Sequence, residues 1–230
     1  GEAFPEMIRF DWMQDLHEWF DWYLKDEGRQ PALHVEIQSN QGSWRIEDRY
    51  PADDTDEVIF KLGSDLTLVS GTTTVLPNGN SGPVYETAPL TEDMYLQGLP
   101  RLHVEVTTST VGGQLFALLE DCNGNNCIHI GHAIMDLRYH EGGDEVSSPW
   151  AAPIEPITAR MEFFALDAEI AAGNTLRLSL LSTGEDYLPA STSSIVTIRE
   201  GDESTLQLDT FDKNDKLYWT PPVCTHNVCV

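Results

Sequence analysis

The stretch His17-Glu18-Trp19-Phe20-Asp21 follows the order of a His-Glu-x-x-His metalloprotease helix, with Asp where the second histidine would stand. Zinc chemistry of that kind needs a third ligand, and none is apparent. An amphipathic helix with a polar face explains the same residues. His129-Ile130-Gly131-His132 spells a nucleotidyl-transferase signature, which belongs on a strand-to-helix turn. Here it lies inside a β-rich run, where positions three apart are expected to point to opposite faces, so both histidines read as strand residues. Asp121, Asn123 and Asn125 offer alternating oxygens like the start of a calcium loop, but position six is Asn126 and position twelve is His132. A tight turn explains them. The acidic loop Asp53-Asp54-Thr55-Asp56-Glu57 is a further calcium candidate; no other cofactor is expected.

A nucleophile elbow of the form Gly-x-Ser-x-Gly is absent, because Gly79-Asn80-Ser81-Gly82-Pro83 fails at its last position. Four cysteines fall in two couples, Cys122 with Cys127 and Cys224 with Cys229. Loops this short favour pairing within each couple, and disulfides imply an oxidising compartment. The competing reading is a zinc site that draws on His129, His132 and His226; zinc ligands usually come at tight, repeated Cys-x2-4-Cys spacing with matching histidines. Trp44, Trp150, Trp219 and Tyr218 are candidate ligand or partner aromatics that could stack on sugar rings, against the commoner fate of packing.

These groups need elements to position them. Trp12, Met13, Leu16, Trp19, Phe20, Tyr23 and Leu24 recur at helical spacing, with Pro5 suited to the first turn and Gly28 to the end. Such an aromatic stripe must be covered by something. From Pro31 the period changes to two, and alternating runs continue through residues 33–37, 44–46, 58–62, 66–69, 157–166, 176–180, 195–199, 204–208 and 216–219. At the centre, residues 99–138 read as a three-stranded meander, with Asn123-Gly124 as the hairpin signal between its last two strands. The expected fold class is all-β, a jelly-roll β-sandwich preceded by one N-terminal amphipathic helix. Residues 1–30 are expected to be helix and linker, and residues 31–230 the sandwich with a disulfide-closed C-terminal tail.

The formal net charge is -25, with 38 acidic and 13 basic residues, which argues against nucleic acid or an anionic membrane surface as partner. It suits an acidic secreted protein or a halophilic, marine setting, where salt screens self-repulsion. No apolar run is long enough to span a bilayer. The opening Gly-Glu-Ala-Phe reads as that of a processed or excised piece.

Several motifs, in order, carry a resemblance. Trp19-Phe-Asp-Trp-Tyr-Leu-Lys25, then Pro31-Ala-Leu-His-Val-Glu-Ile37, Trp44-Arg45 and Tyr50-Pro51, resemble the passage joining the α/β-hydrolase domain to the jelly roll in the X-Pro dipeptidyl-peptidase and cocaine esterase family. Residues 85–100, Thr107-Thr-Ser-Thr110, Leu118-Leu-Glu-Asp-Cys-Asn-Gly124 and Gly131-His-Ala-Ile-Met-Asp-Leu-Arg-Tyr139 are similar to later segments of the same family. Residues 185–194 only loosely echo its aromatic-proline element, and the tail after Glu200 has no counterpart in it.

The resemblance implies a non-catalytic C-terminal domain of a secreted serine hydrolase, packed on an upstream α/β-hydrolase domain that carries the Ser-His-Asp triad. It implies support for the catalytic cleft or for oligomerisation, and an extracellular or cell-surface location. His17 then reads as a surface or interdomain residue. Trp12, Leu16, Trp19, Phe20 and Tyr23 become an interdomain helix face. This chain alone is expected to have no catalytic residues. The alternative is a stand-alone carbohydrate-binding or self-assembling extracellular structural module.

Overall fold

The computed structural model describes residues 11–77, 81–141, 156–184, 187–188, 194–220, 224–225 and 228–229, the side chains of 11, 12, 224, 225, 228 and 229 excepted. Helix α1 (Asp11–Lys25) carries the aromatic stripe. It stops three residues before Gly28, because Asp26 takes a left-handed φ of 63° and the Glu27 N–H turns back to the Asp21 carbonyl at 3.0 Å. Pro5 lies outside the described residues.

Strands β1 (Val35–Gln38) and β2 (Trp44–Glu47) form a hairpin, followed by β3 (Asp56–Lys61), β4 (Thr67–Ser70), β5 (Thr74–Val75) and β6 (Val84–Glu86). The central strand β7 (Met94–Thr108) precedes β8 (Gln114–Asn123) and β9 (Asn126–Asp136), and a 3₁₀ turn (Leu137–Tyr139) ends β9. After them come β10 (Ile157–Glu162), β11 (Leu166–Ile170), β12 (Thr175–Leu181), β13 (Val196–Arg199), β14 (Thr205–Thr210) and β15 (Leu217–Trp219). Two short strands, β16 (Cys224–Thr225) and β17 (Val228–Cys229), pair at the tail.

Two antiparallel sheets form the jelly-roll sandwich. One has the order β3-β14-β7-β13-β5, with β10 and β11 on the other edge of β7; the second runs β4-β6-β12-β8-β9. A small third sheet, β1-β2-β15, flanks them. The alternation read in the sequence fills the core. Leu102, Val104 and Val106 of β7 face Leu115, Ala117 and Leu119 of β8 and Leu176, Leu178 and Leu180 of β12, all fully buried.

The expected meander is only half present. β8 and β9 pair as a hairpin, but β7 belongs to the opposite sheet, so the chain crosses the sandwich between Thr108 and Gln114. Gly112 and Gly113, at φ of 88° and 134°, supply the turn for that crossing. The β8–β9 loop is Gly124-Asn125, one residue later than the Asn-Gly signal, since Asn123 pairs Asn126 and Cys122 pairs Cys127. Gly124, at φ of 62°, occupies the first central position, the place for glycine in a type II′ turn.

Candidate functional site

From Met13 onward the stripe of α1 is largely exposed among the described residues. Among the described residues, Trp19, Phe20 and Tyr23 remain 43%, 40% and 44% exposed, and Leu24 reaches 73%. They nonetheless form one surface: the Trp19 ring lies 5.4 Å from Phe20 at 84° and 4.7 Å from Tyr23 at 39°. Trp19 and Tyr23 meet because residues at i and i+4 lie on the same side of a helix. Beside them a cleft of about 420 Å³ opens between α1 and β1, bordered by Trp19, Arg29, Pro31 and His34. An exposed apolar face of this kind is a candidate interaction surface.

The small sheet next to the helix is clamped to the sandwich by charge. Arg45 is 2% exposed and donates from Nε to Glu47 at 2.8 Å, from Nη1 to Asp167 at 2.8 Å and from Nη2 to Gln97 at 2.7 Å. Its guanidinium also stacks 4.2 Å over the Phe211 ring. Burial works against the Arg45 charge, but Asp167 and Glu47 outweigh it and hold the group above its ordinary value. Lys216 extends the network to Glu47 at 3.0 Å and Asp54 at 2.7 Å. That hydrogen bond from Lys216 holds the Asp54 carboxyl below its usual range. A second clamp pairs the Asn40 side chain with the Glu169 backbone on β11.

Two residues of the quoted motifs explain themselves in this setting. Arg45 is the hub of the network. The Tyr50 hydroxyl accepts from the Gly98 N–H at 2.9 Å and donates to the Leu166 carbonyl at 2.6 Å, pinning the loop after β2 onto the junction of β7 and β11. The sequence did not reveal Asp167, Gln97 and Lys216 as partners, because they lie far from residues 45–47 along the chain and no local pattern links them; Asp54 joins only through Lys216.

The remaining candidates fall in different places. Trp44 and Trp219 are half-buried and oppose each other across β2 and β15, rings 6.4 Å apart at 72°. Tyr218 is likewise half-buried, and Trp150 lies outside the described residues. Cys122 and Cys127 form a disulfide. Cys224 sits opposite Cys229 in the β16–β17 register, with both side chains outside the described residues. Asp121 is buried and accepts from the Asn174 side chain at 2.7 Å, so it holds the β8–β12 junction, while Asn123 and Asn125 are exposed. On α1, His17 is exposed and Asp21 pairs with Lys25 at 2.5 Å. Among the described residues no three His, Cys, Asp or Glu side chains gather as a metal set.

One expectation is overturned. His129 and His132 do not point to opposite faces: Leu119 pairs Gly131 and Glu120 pairs His129, leaving Ile130 as the extra residue of a β-bulge. The bulge shifts the alternation by one. Both imidazoles therefore stand on the outer face, His132 Nδ1 lying 3.2 Å from His129 Nε2. Burial pushes the His129 imidazole below its ordinary value, and His132 beside it adds to the effect.

The architecture defines an all-β jelly-roll domain led by an aromatic helix. A family model described as the X-Pro dipeptidyl-peptidase C-terminal non-catalytic domain matches residues 26–218, and the chain belongs to that family. Solved structures share its fold. A CocE/NonD family hydrolase from Staphylococcus aureus is 14% identical with a TM-score of 0.65, the match covering 87% of this chain and 45% of that one. An aminopeptidase from a marine sediment archaeon, Thaumarchaeota archaeon, is 14% identical with a TM-score of 0.66, covering 88% and 44%. An alpha-amino acid ester hydrolase is 14% identical with a TM-score of 0.52, covering 90% and 44%. This chain thus spans less than half the length of each. No curated protein matches it.

Proposed function

We propose that this chain is the non-catalytic C-terminal domain of a secreted serine hydrolase of the dipeptidyl-peptidase or esterase type, docked on an upstream α/β-hydrolase domain through α1. The observation that carries this reading is the position of the uncovered face. Trp19, Phe20 and Tyr23 lie just before the family segment, which starts at residue 26, on the side where a C-terminal domain meets what precedes it. The Arg45 and Asn40 clamps hold the small sheet that follows the helix onto the sandwich. In this arrangement the domain walls the catalytic cleft and supports oligomers, while the acyl-serine chemistry belongs to its neighbour.

The Cys122–Cys127 disulfide supports an oxidising, extracellular or cell-surface setting, and the net charge of -25 supports a high-salt one. The test is catalytic: this chain, incubated with a nitrophenyl ester, should give no turnover. Turnover abolished by a serine-directed phosphonate would overturn the reading.

A further inference from the structure

The outer face of the β8–β9 hairpin carries a group that neither the family nor the helix explains. His129 and His132 meet there only because of the bulge at Ile130, which interrupts the β8–β9 ladder and re-aims one side chain. Their facing nitrogens, His129 Nε2 and His132 Nδ1, are 3.2 Å apart. Two imidazole nitrogens bound to one tetrahedral zinc ion at 2.0–2.1 Å stand about 3.3 Å apart, so the pair has the bite of a metal chelate.

The surroundings orient the second ring. His132 Nε2 lies 3.0 Å from the Tyr187 hydroxyl, which leaves Nδ1 as the nitrogen aimed at His129. A hydrogen bond on the far nitrogen is the usual second-shell partner of a ligating histidine, since it fixes ring angle and tautomer. Phe116 stacks on His132 with centroids 5.6 Å apart and Phe164 meets it edge-on at 5.0 Å, so the ring is held on two further sides. Tyr187 is itself placed by Thr183, whose hydroxyl donates to the Tyr187 carbonyl at 2.9 Å.

We propose that His129 and His132 form a two-imidazole binding site for a late first-row divalent metal ion of the zinc type. His129 ligates through Nε2 and His132 through Nδ1, and the ion replaces the contact between them. Among the described residues no third His, Cys, Asp or Glu completes a metal set with the pair. A donor set of imidazoles alone selects zinc, copper or nickel over calcium and magnesium, which require oxygen ligands.

The test is calorimetric titration of the 230-residue chain with Zn²⁺, and separately with Ca²⁺, at neutral pH in a non-chelating buffer. One Zn²⁺ should bind per chain, with no matching Ca²⁺ signal. His129→Ala and His132→Ala should each abolish it, and Tyr187→Phe, which keeps the ring but loses the hydroxyl, should weaken it by about tenfold. Because the variants could disturb the hairpin, the imidazole proton resonances of the unaltered chain give an independent reading: Zn²⁺ should shift those of His129 and His132 before any other histidine. Absence of Zn²⁺ binding, binding that survives both alanine variants, or first shifts at another histidine would overturn the proposal.

Discussion

Arg45 Nη1 donates to Asp167 Oδ1 at 2.8 Å across 122 residues of chain, tying the small sheet beside α1 to the main sandwich. Both side chains are almost wholly buried, at 2% and 5% exposure. Removing one charge of such a pair strands the other in a place water cannot reach. Arg45→Met should therefore cost about 3–5 kcal/mol in urea unfolding. The double variant Arg45→Met/Asp167→Leu should recover much of that loss, because no unpaired charge then remains at Asp167. A single variant that unfolds like the parent would show that the clamp carries no weight.

Gly82 marks a close approach of two backbones. A Cβ there would lie 1.9 Å from the Leu180 carbonyl oxygen, and the Leu180 N–H is bonded to the Pro83 carbonyl at 3.0 Å, so the strand cannot easily retreat. Gly82→Ala should lose about 3 kcal/mol, at the upper end of ordinary overpacking. The denaturant midpoint reads it directly.

The Cys122–Cys127 disulfide closes a loop with a sequence separation of only 5. Loop-entropy arguments give so short a closure about 2 kcal/mol. The double variant Cys122→Ala/Cys127→Ala should lower the thermal midpoint by an amount of that order while keeping the β-sheet circular dichroism, because the hairpin retains its ladder from Gln114 to Asn123.

His103 faces Arg160 across the β7–β10 ladder. Burial pushes its imidazole below the ordinary 6.5, and Arg160 and Arg101 add to that. With the folded value depressed, the unfolded chain binds more protons just below the ordinary value. The His103 contribution should thus fall as pH drops below about 6.5 and be level above it. His103→Gln should flatten that part of the stability profile measured between about pH 5 and pH 7.

Local pattern carried much of this fold into view. The three-and-four spacing of Leu16, Trp19, Phe20 and Tyr23 marks α1, and the alternation of Leu176, Leu178 and Leu180 marks a strand with one buried face. Which sheet a strand joins is not local. β7 left the expected meander because two glycines let the chain cross the core, and nothing in the apolar pattern of residues 99–107 records that choice. The bulge at Ile130 was hidden for a related reason: one extra residue in a ladder leaves composition unchanged, yet it moves His129 to the face of His132. The segment of β7 from Met94 to Gly98 lies ahead of the run read from residue 99 and shows no alternation, since both Leu96 and Gln97 are buried and give no polar face. Gln97 is buried because Arg45 needs an acceptor there, a relationship between residues 52 positions apart.

On the proposed reading, α1 is the docking face for an upstream catalytic domain. Hydroxyl-radical footprinting of Trp19, Phe20 and Tyr23 tests it, comparing this chain with the protein that includes the upstream domain. All three side chains should oxidise readily in the isolated chain, independent of its concentration, and several-fold less when the upstream domain is present. Equal oxidation in the two forms would contradict it, and protection that grows with the concentration of the isolated chain would assign the face to a second copy instead.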